Sequence, residues 1–248
     1  MSKPPLNQFF DINKLPPEEG ILVFPISMSR ISTSQSAKSC WEQVCIFSPD
    51  KIIKPLVGIN FIYSDFLYLY SDRKASELKN KFSQLIINHK NELIKTISKN
   101  PFYIQQAFSF TTWNQLYLEC KEFTSYFGDL KQIYRKDKKF HKLIQDDLKS
   151  VKKQKLDDNQ LNFFLEEILM SYLIAKGKVR LQNDFVRDHQ KWVLYCYPGK
   201  PLKSQIYFFQ QNFFKLDNPN NEYQDAFYDL EEKKLYDFNR ADLENINL

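Results

Sequence analysis

A chain of 248 residues with 43% hydrophobic side chains and only 5 glycines is long enough to bury a real core, and is neither disordered nor fibrous. Its 35 basic against 30 acidic residues leave a net charge of +5, a mild pull toward anionic partners. Four cysteines without CxxC spacing or disulfide density argue against zinc and fit a reducing compartment, and no apolar run approaches the roughly 18 residues of a membrane span. The amino terminus carries two prolines and no apolar h-region, so the expectation is a cytoplasmic monomer with no metal and no membrane contact. A single domain over 1–248 is expected, with 1–18 and 217–248 as peripheral segments. The 22 Phe and 14 Tyr must go largely into its core.

Ile21-Leu-Val-Phe-Pro-Ile26 is a continuous apolar run, the pattern of a parallel strand buried on both faces, and it breaks abruptly into hydroxyls at Ser27. In an open α/β sheet the ligand crevice lies outside the carboxyl ends of the strands, which would put Ser27 against a substrate. Ser29, Ser32, Thr33 and Ser34 serve equally well as caps of the next helix, and the sequence leaves both uses open.

Residues 36–47 predict a helix carrying Trp41, Val44 and Cys45, interrupted by Pro49. Phe66-Leu-Tyr-Leu-Tyr70 is aromatic and β-prone and predicts a second strand. Residues 75–98 lack Gly and Pro and space Leu78, Phe82, Leu85, Ile86, Leu93 and Ile97 helically. The other face of that helix holds Lys74, Lys79, Lys81, Lys90, Lys95 and Lys99, a stripe able to track a nucleic-acid backbone or simply a solvated face. A third strand is expected at 107–113, then helices at 115–126 and 129–155 with basic clusters at 135–142 and 149–155. Leu156-Asp-Asp-Asn159 caps a helix over 160–175 that Gly177 stops. Trp192-Val-Leu-Tyr-Cys-Tyr197 is the fourth strand, closed by Pro198-Gly199, and 202–214 forms an aromatic helix ahead of an acidic tail. Strands alternating with helices predict an α/β fold, a Rossmann-like parallel sheet with helices on both faces.

Neither GxGxxG nor a P-loop occurs, so dinucleotide binding and ATP use have no motif behind them. The histidines, His89, His141 and His189, sit in charged or helical contexts, and no GxSxG elbow surrounds Ser27.

Ile26-Ser27 at a strand end, Tyr172-Leu-Ile-Ala-Lys176 on a late helix and Tyr197-Pro198 at a late strand end together resemble the tRNA-dependent cyclodipeptide synthases. That family carries an Ile-Ser strand end, a Tyr-x-x-x-Glu helix motif and a strand ending in Tyr followed by His or Pro. The order and spacing match over roughly residues 20 to 215. Arg30, three residues after the serine, and Tyr197-Pro198 look like the Tyr-Pro subgroup. The resemblance implies a Rossmann-like domain akin to the catalytic domain of class I aminoacyl-tRNA synthetases, without their HIGH and KMSKS signatures, neither of which occurs here.

It further implies that Ser27 takes the aminoacyl group from one aminoacyl-tRNA, that a second charged tRNA then reacts, and that the dipeptidyl-enzyme cyclises to a diketopiperazine. No ATP or other cofactor is needed, because the tRNA ester is already activated. By the same resemblance Tyr172 anchors the substrate amine and Tyr197 relays a proton in cyclisation. The family glutamate falls on Lys176, where an ammonium would repel the substrate amine, so a glutamate restored there would be expected to raise activity. The first aminoacyl pocket falls on Val23, Pro25, Leu67, Trp113, Val179 and Tyr195, a mostly apolar set implying a hydrophobic first amino acid. Two readings from other classes stay open: a tRNA-binding relative disabled at Lys176, and an unrelated serine hydrolase of small esters.

Overall fold

The computed structural model describes residues 20–47, 57–65, 75–99, 108–151, 158–181, 192–221 and 223–243. In chain order these form β1 (Gly20–Ile26), α1 (Ala37–Cys45), β2 (Val57–Tyr63), α2 (Ala75–Ser98), β3 (Phe108–Thr112), α3 (Trp113–Glu119), α4 (Phe123–Lys136) and α5 (Lys138–Val151). There follow α6 (Asp158–Ala175), β4 (Trp192–Tyr197), α7 (Lys203–Gln211), β5 (Ala226–Asp229) and β6 (Lys234–Asp237). The strands make one sheet in the order β3-β2-β1-β4-β5-β6, with β6 alone antiparallel. The α/β class and the Rossmann-like arrangement expected from the alternation are therefore what the chain adopts.

β1 lies at the centre and is buried along its whole length. Successive side chains of a strand point to opposite faces, so Ile21 and Val23 enter one core and Leu22, Phe24 and Ile26 the other. The first core is roofed by α3 to α7, the second by α1 and α2. From β1 the chain adds β2 and β3 on one side and then crosses back to lay β4 on the other, so the direction of winding reverses between β1 and β4. At such a switch point the loops leaving the strand ends diverge and open a crevice.

Several expected boundaries move, each for a local reason. The second strand is Val57-Gly-Ile-Asn-Phe-Ile-Tyr63, hidden from pattern reading because Gly58 and Asn60 are strand-poor residues. The expected strand at 66–70 lies outside the described residues. Trp113 begins α3 rather than ending β3, because Thr112 and Gln115 form a reciprocal capping box. The helix expected over 129–155 breaks at Asp137, whose extended backbone frees its carboxylate to accept the Phe140 N–H at 2.8 Å and start α5. Residues 217–248 are not peripheral as a whole: β5 and β6 complete the sheet, and Phe227, Tyr228, Leu235 and Tyr236 are buried among the acidic residues that disguised them. The 1–18 segment lies outside the described residues. Among the described residues no helix is long and apolar enough to cross a membrane.

The centre of the sheet is packed tightly enough to dictate a glycine. Gly20 pairs with Trp192 across β1 and β4, and a Cβ at Gly20 would sit 1.7 Å from Trp192 Cε2. The indole has nowhere to go, being 2% exposed and edge-on to Tyr223 at 5.6 Å. Gly20→Ala is therefore expected to destabilise the protein by about 2 kcal/mol or more, the usual cost of overpacking a full core, as measured by urea unfolding.

Candidate active site

Pro25 has no N–H to give, and just past it the chain leaves the sheet. The side-chain amide of Gln35 substitutes for a neighbouring strand there: its Nε2 donates to Pro25 O at 2.7 Å and its Oε1 accepts from Ser27 N–H at 2.8 Å. Between these anchors Ser27 O accepts from Arg30 N–H at 2.9 Å, and Gln35 N–H donates to Arg30 O at 3.0 Å, closing a compact loop. Ser27 Oγ, half-buried, lies 2.9 Å from Ser29 Oγ. The cap of α1 is Ser36, which accepts from Ser39 N–H, so Ser27 to Ser34 are not its capping residues.

Gln35 is 2% exposed and is held in turn from the other face of the sheet. His89 Nε2 lies 3.0 Å from Gln35 O, a pure acceptor, so the proton sits on Nε2 and Nδ1 must accept the Tyr63 hydroxyl at 3.0 Å. Burial lowers the His89 pKa below its ordinary 6.5, which keeps this neutral tautomer in place.

On the α6 side of the sheet, outside the carboxyl ends of β1, β4 and β5, lies a cavity of about 650 Å³. The sheet supplies Pro25, Tyr195, Tyr197 and Phe227 to its wall; α6 supplies Phe163, Glu167 and Ser171; α7 and the turn before it supply Leu202 and Gln205. Arg30 and Pro198 line it as well, joined by a 3.4 Å hydrogen bond from Nη1 to the carbonyl, with the guanidinium 5.7 Å from the centre of the Tyr197 ring. Ser27 is thus set between two residues of the cavity wall, Pro25 and Arg30.

Glu167 is one of four charged residues on the cavity wall, with Arg30, Lys200 and Glu231. Among the described residues its carboxylate has no hydrogen-bond or ion-pair partner. Burial pushes its pKa up to about 7, against the downward pull of the Arg30 charge. Tyr195 beside it is raised well above an ordinary tyrosine, by burial first and then by the Glu167 and Tyr197 charges. An apolar cavity that holds an unpaired carboxylate is prepared for a cation.

The sequence-derived candidates divide sharply. Pro25, Tyr195 and Tyr197 line the cavity; Ser27 is not on its wall but falls in sequence between two residues that are, Pro25 and Arg30. Val23, Trp113 and Val179 are buried in the core instead, and Leu67 lies outside the described residues. Tyr172 does not reach the cavity: it is fully buried, donates to Asn212 Oδ1, and meets Phe208 and Phe209 edge-on at 5.1 Å. Lys176 is turned away too, its ammonium 2.6 Å from Asp225 Oδ1 with a side chain 1% exposed. The acid one helical turn from an aromatic residue is Glu167, four after Phe163, and both line the cavity. A charge on an otherwise apolar helix face was the signal available for it. Of the lysine stripe, Lys81, Lys95 and Lys99 are exposed on α2, and Lys90 is half-buried with its ammonium 5.0 Å from the Phe110 ring centre. Lys74 and the Lys79 side chain lie outside the described residues.

Position 176 therefore needs a cation for a structural reason. Lys176→Glu would set a carboxylate against Asp225 in a buried site, so it is expected to cost about 3 kcal/mol or more by chemical denaturation and to raise no activity.

The fold has solved counterparts. A cyclodipeptide synthase from Fluoribacter dumoffii matches with a TM-score of 0.56 at 15% identity, over 84% of this chain and 89% of that one. A cyclodipeptide synthase from Staphylococcus haemolyticus matches with a TM-score of 0.52 at 10% identity, over 82% and 88% respectively. No protein-family model and no curated protein matches the sequence. What the chain shares with these two enzymes is the fold.

Proposed function

We propose that the protein is a tRNA-dependent cyclodipeptide synthase of the Tyr-Pro subgroup, joining the aminoacyl groups of two charged tRNAs into a diketopiperazine. The observation that carries this reading is Glu167: an unpaired carboxylate in an aromatic-walled cavity at the switch point of the sheet, beside a serine held at the end of β1.

In this reading Ser27 Oγ attacks the ester carbonyl of the first aminoacyl-tRNA. The ester C–O bond breaks, the serine proton goes to the departing ribose hydroxyl, and the aminoacyl group remains on Ser27 as an ester. Glu167 holds its α-ammonium, the role that the sequence pattern had put at position 176. A carboxyl near 7 is matched to an α-ammonium near 7.7–8, so it can also take the proton that must leave before the amine attacks. That amine attacks the carbonyl of the second aminoacyl-tRNA, whose ester C–O bond breaks; the amine's proton goes to the departing ribose hydroxyl, the second tRNA leaves, and a dipeptide remains on Ser27. The new terminal amine then attacks the serine ester, closes the ring and returns the proton to Ser27. Tyr197, with Arg30 against its ring, is placed to pass protons in this last step.

Two further observations favour the reading. Neither described histidine, His89 or His141, lines the cavity, so among the described residues the ionisable group facing it that could move a proton is Glu167 and not an imidazole. Lys81 shares a shallow cleft with Ser29 and Ser32, so the exposed lysines of α2 lead to the nucleophile loop, a path suited to a tRNA acceptor end.

Ser27→Ala is expected to abolish the acyl-enzyme formed from charged tRNA while the unfolding transition stays unchanged; mass spectrometry of the intact protein checks it, and undiminished product would refute the assignment. Glu167→Gln is expected to lower kcat/KM about 100-fold, the scale of losing one partner of a desolvated charge pair. For the wild type, kcat/KM rises with pH through about 7 as Glu167 ionises and falls again as the substrate ammonium deprotonates. The glutamine variant should lack the acid limb.

A further inference from the structure

Ser171 lies four residues beyond Glu167 on the same face of α6, about 6 Å further along the axis, and also lines the cavity. Its hydroxyl is already committed, donating to Ile168 O at 2.9 Å. It can therefore only accept from Gln205, whose Nε2 lies 3.1 Å away. This chain fixes the orientation of the Gln205 amide. With the nitrogen turned to Ser171, the oxygen remains. Gln205 is 9% exposed and lines the cavity, and among the described residues its Oε1 has no partner.

The same cavity is walled by rings, Phe163 and Phe164 from α6 and Phe227 from β5. The Tyr195 hydroxyl belongs to the Glu167 end, where the two groups interact. At the other end the cavity offers an oriented acceptor. An aliphatic or plain phenyl side chain would fill the aromatic part and cover that oxygen without giving it a proton. A side chain tipped with a donor would satisfy it.

We propose that this cavity selects an aminoacyl group whose side chain is aromatic and ends in a hydrogen-bond donor, a phenol or an indole, with the Gln205 oxygen as the specificity-determining acceptor. The inference rests on the proposed function: Glu167 holds the amine, the ring lies against the phenylalanines of the cavity wall, and the donor reaches Gln205, whose amide is bonded to Ser171. Sites built to bond a substrate hydroxyl reject the analogue lacking it by far more than apolar pockets reject a missing methylene. A buried acceptor left unpaired is the physical cause.

The test is competition among charged tRNAs. The full-length protein is given a complete set of aminoacyl-tRNAs, and then tyrosyl-, tryptophanyl-, phenylalanyl- and leucyl-tRNA singly and in pairs, with acyl-enzyme and diketopiperazines read by mass spectrometry. The expected result is product containing tyrosine or tryptophan in about 100-fold excess over phenylalanine or leucine at that position. Gln205→Leu, with folding verified by its unfolding transition, should lower turnover of the tyrosyl group more than that of the phenylalanyl group and shift the tyrosine-to-phenylalanine ratio at least about tenfold toward phenylalanine. Ser171→Ala frees the amide to turn and should relax the same ratio partway. Products dominated by other amino acids, or a ratio that Gln205→Leu leaves unchanged, would overturn the inference and leave the synthase reading standing. No acyl-enzyme from any charged tRNA would overturn both.

Discussion

Strand β1 has neighbours on both edges and cores on both faces, so everything near its end must be supplied by the chain that follows it. Proline at the penultimate position then removes a donor just where the strand runs out of sheet. The amide of Gln35 meets that constraint by bonding to both sides of the strand end, at Pro25 and at Ser27. Leaving either buried backbone group unpaired would cost about 1–3 kcal/mol, so the loop has little freedom to relax. Because Gln35 is itself held through its carbonyl by His89 of α2, the loop that carries Ser27 is tied to the helix that bears the exposed lysines. The opposite face of β1 contributes Pro25 to the cavity. One strand end thus joins a lysine-bearing helix on one face of the sheet to a cavity on the other.

The fold was legible because its strongest signals are local. The apolar run of β1, the hydroxyl break after it, the long period of α2 and the Gly177 stop of α6 each follow from a few consecutive residues. Gly177 takes a positive φ of 69°, and the two hydrogen bonds behind it, Lys178 N–H to Leu173 O and Gly177 N–H to Ile174 O, are the closing pair that a glycine in this position permits. β2 and β5 were hidden because their burial comes from neighbouring strands and not from their own composition, with Asn60 and Asp229 fully buried in them.

The site was legible only in part, and the error at α6 has a simple geometry. Tyr172 follows Phe163 by nine residues, about two and a half turns, so a motif moved by that interval lands on the opposite side of the helix. Tyr172 and Lys176 satisfy the spacing of the motif but face the aromatic core and Asp225. A spacing rule specifies a pair, and burial nearly all around α6 left no amphipathic stripe to say which side faced the substrate. Gln35 and Gln205 were beyond sequence reading altogether, since their partners are eight and thirty-four residues away or are backbone atoms.

The late strands bear on when the site comes into being. Phe227 of β5 closes one wall of the cavity, and Asp229 at the end of that strand holds the Gly199 N–H at 3.1 Å, beside Tyr197 and Pro198. Ser27 is made some two hundred residues before them. A nascent chain therefore exposes the end of β1 and the loop after it before the strand that closes the cavity has been made. Because β5 can pair with β4 only after its own synthesis, the half-made protein lacks the Phe227 wall.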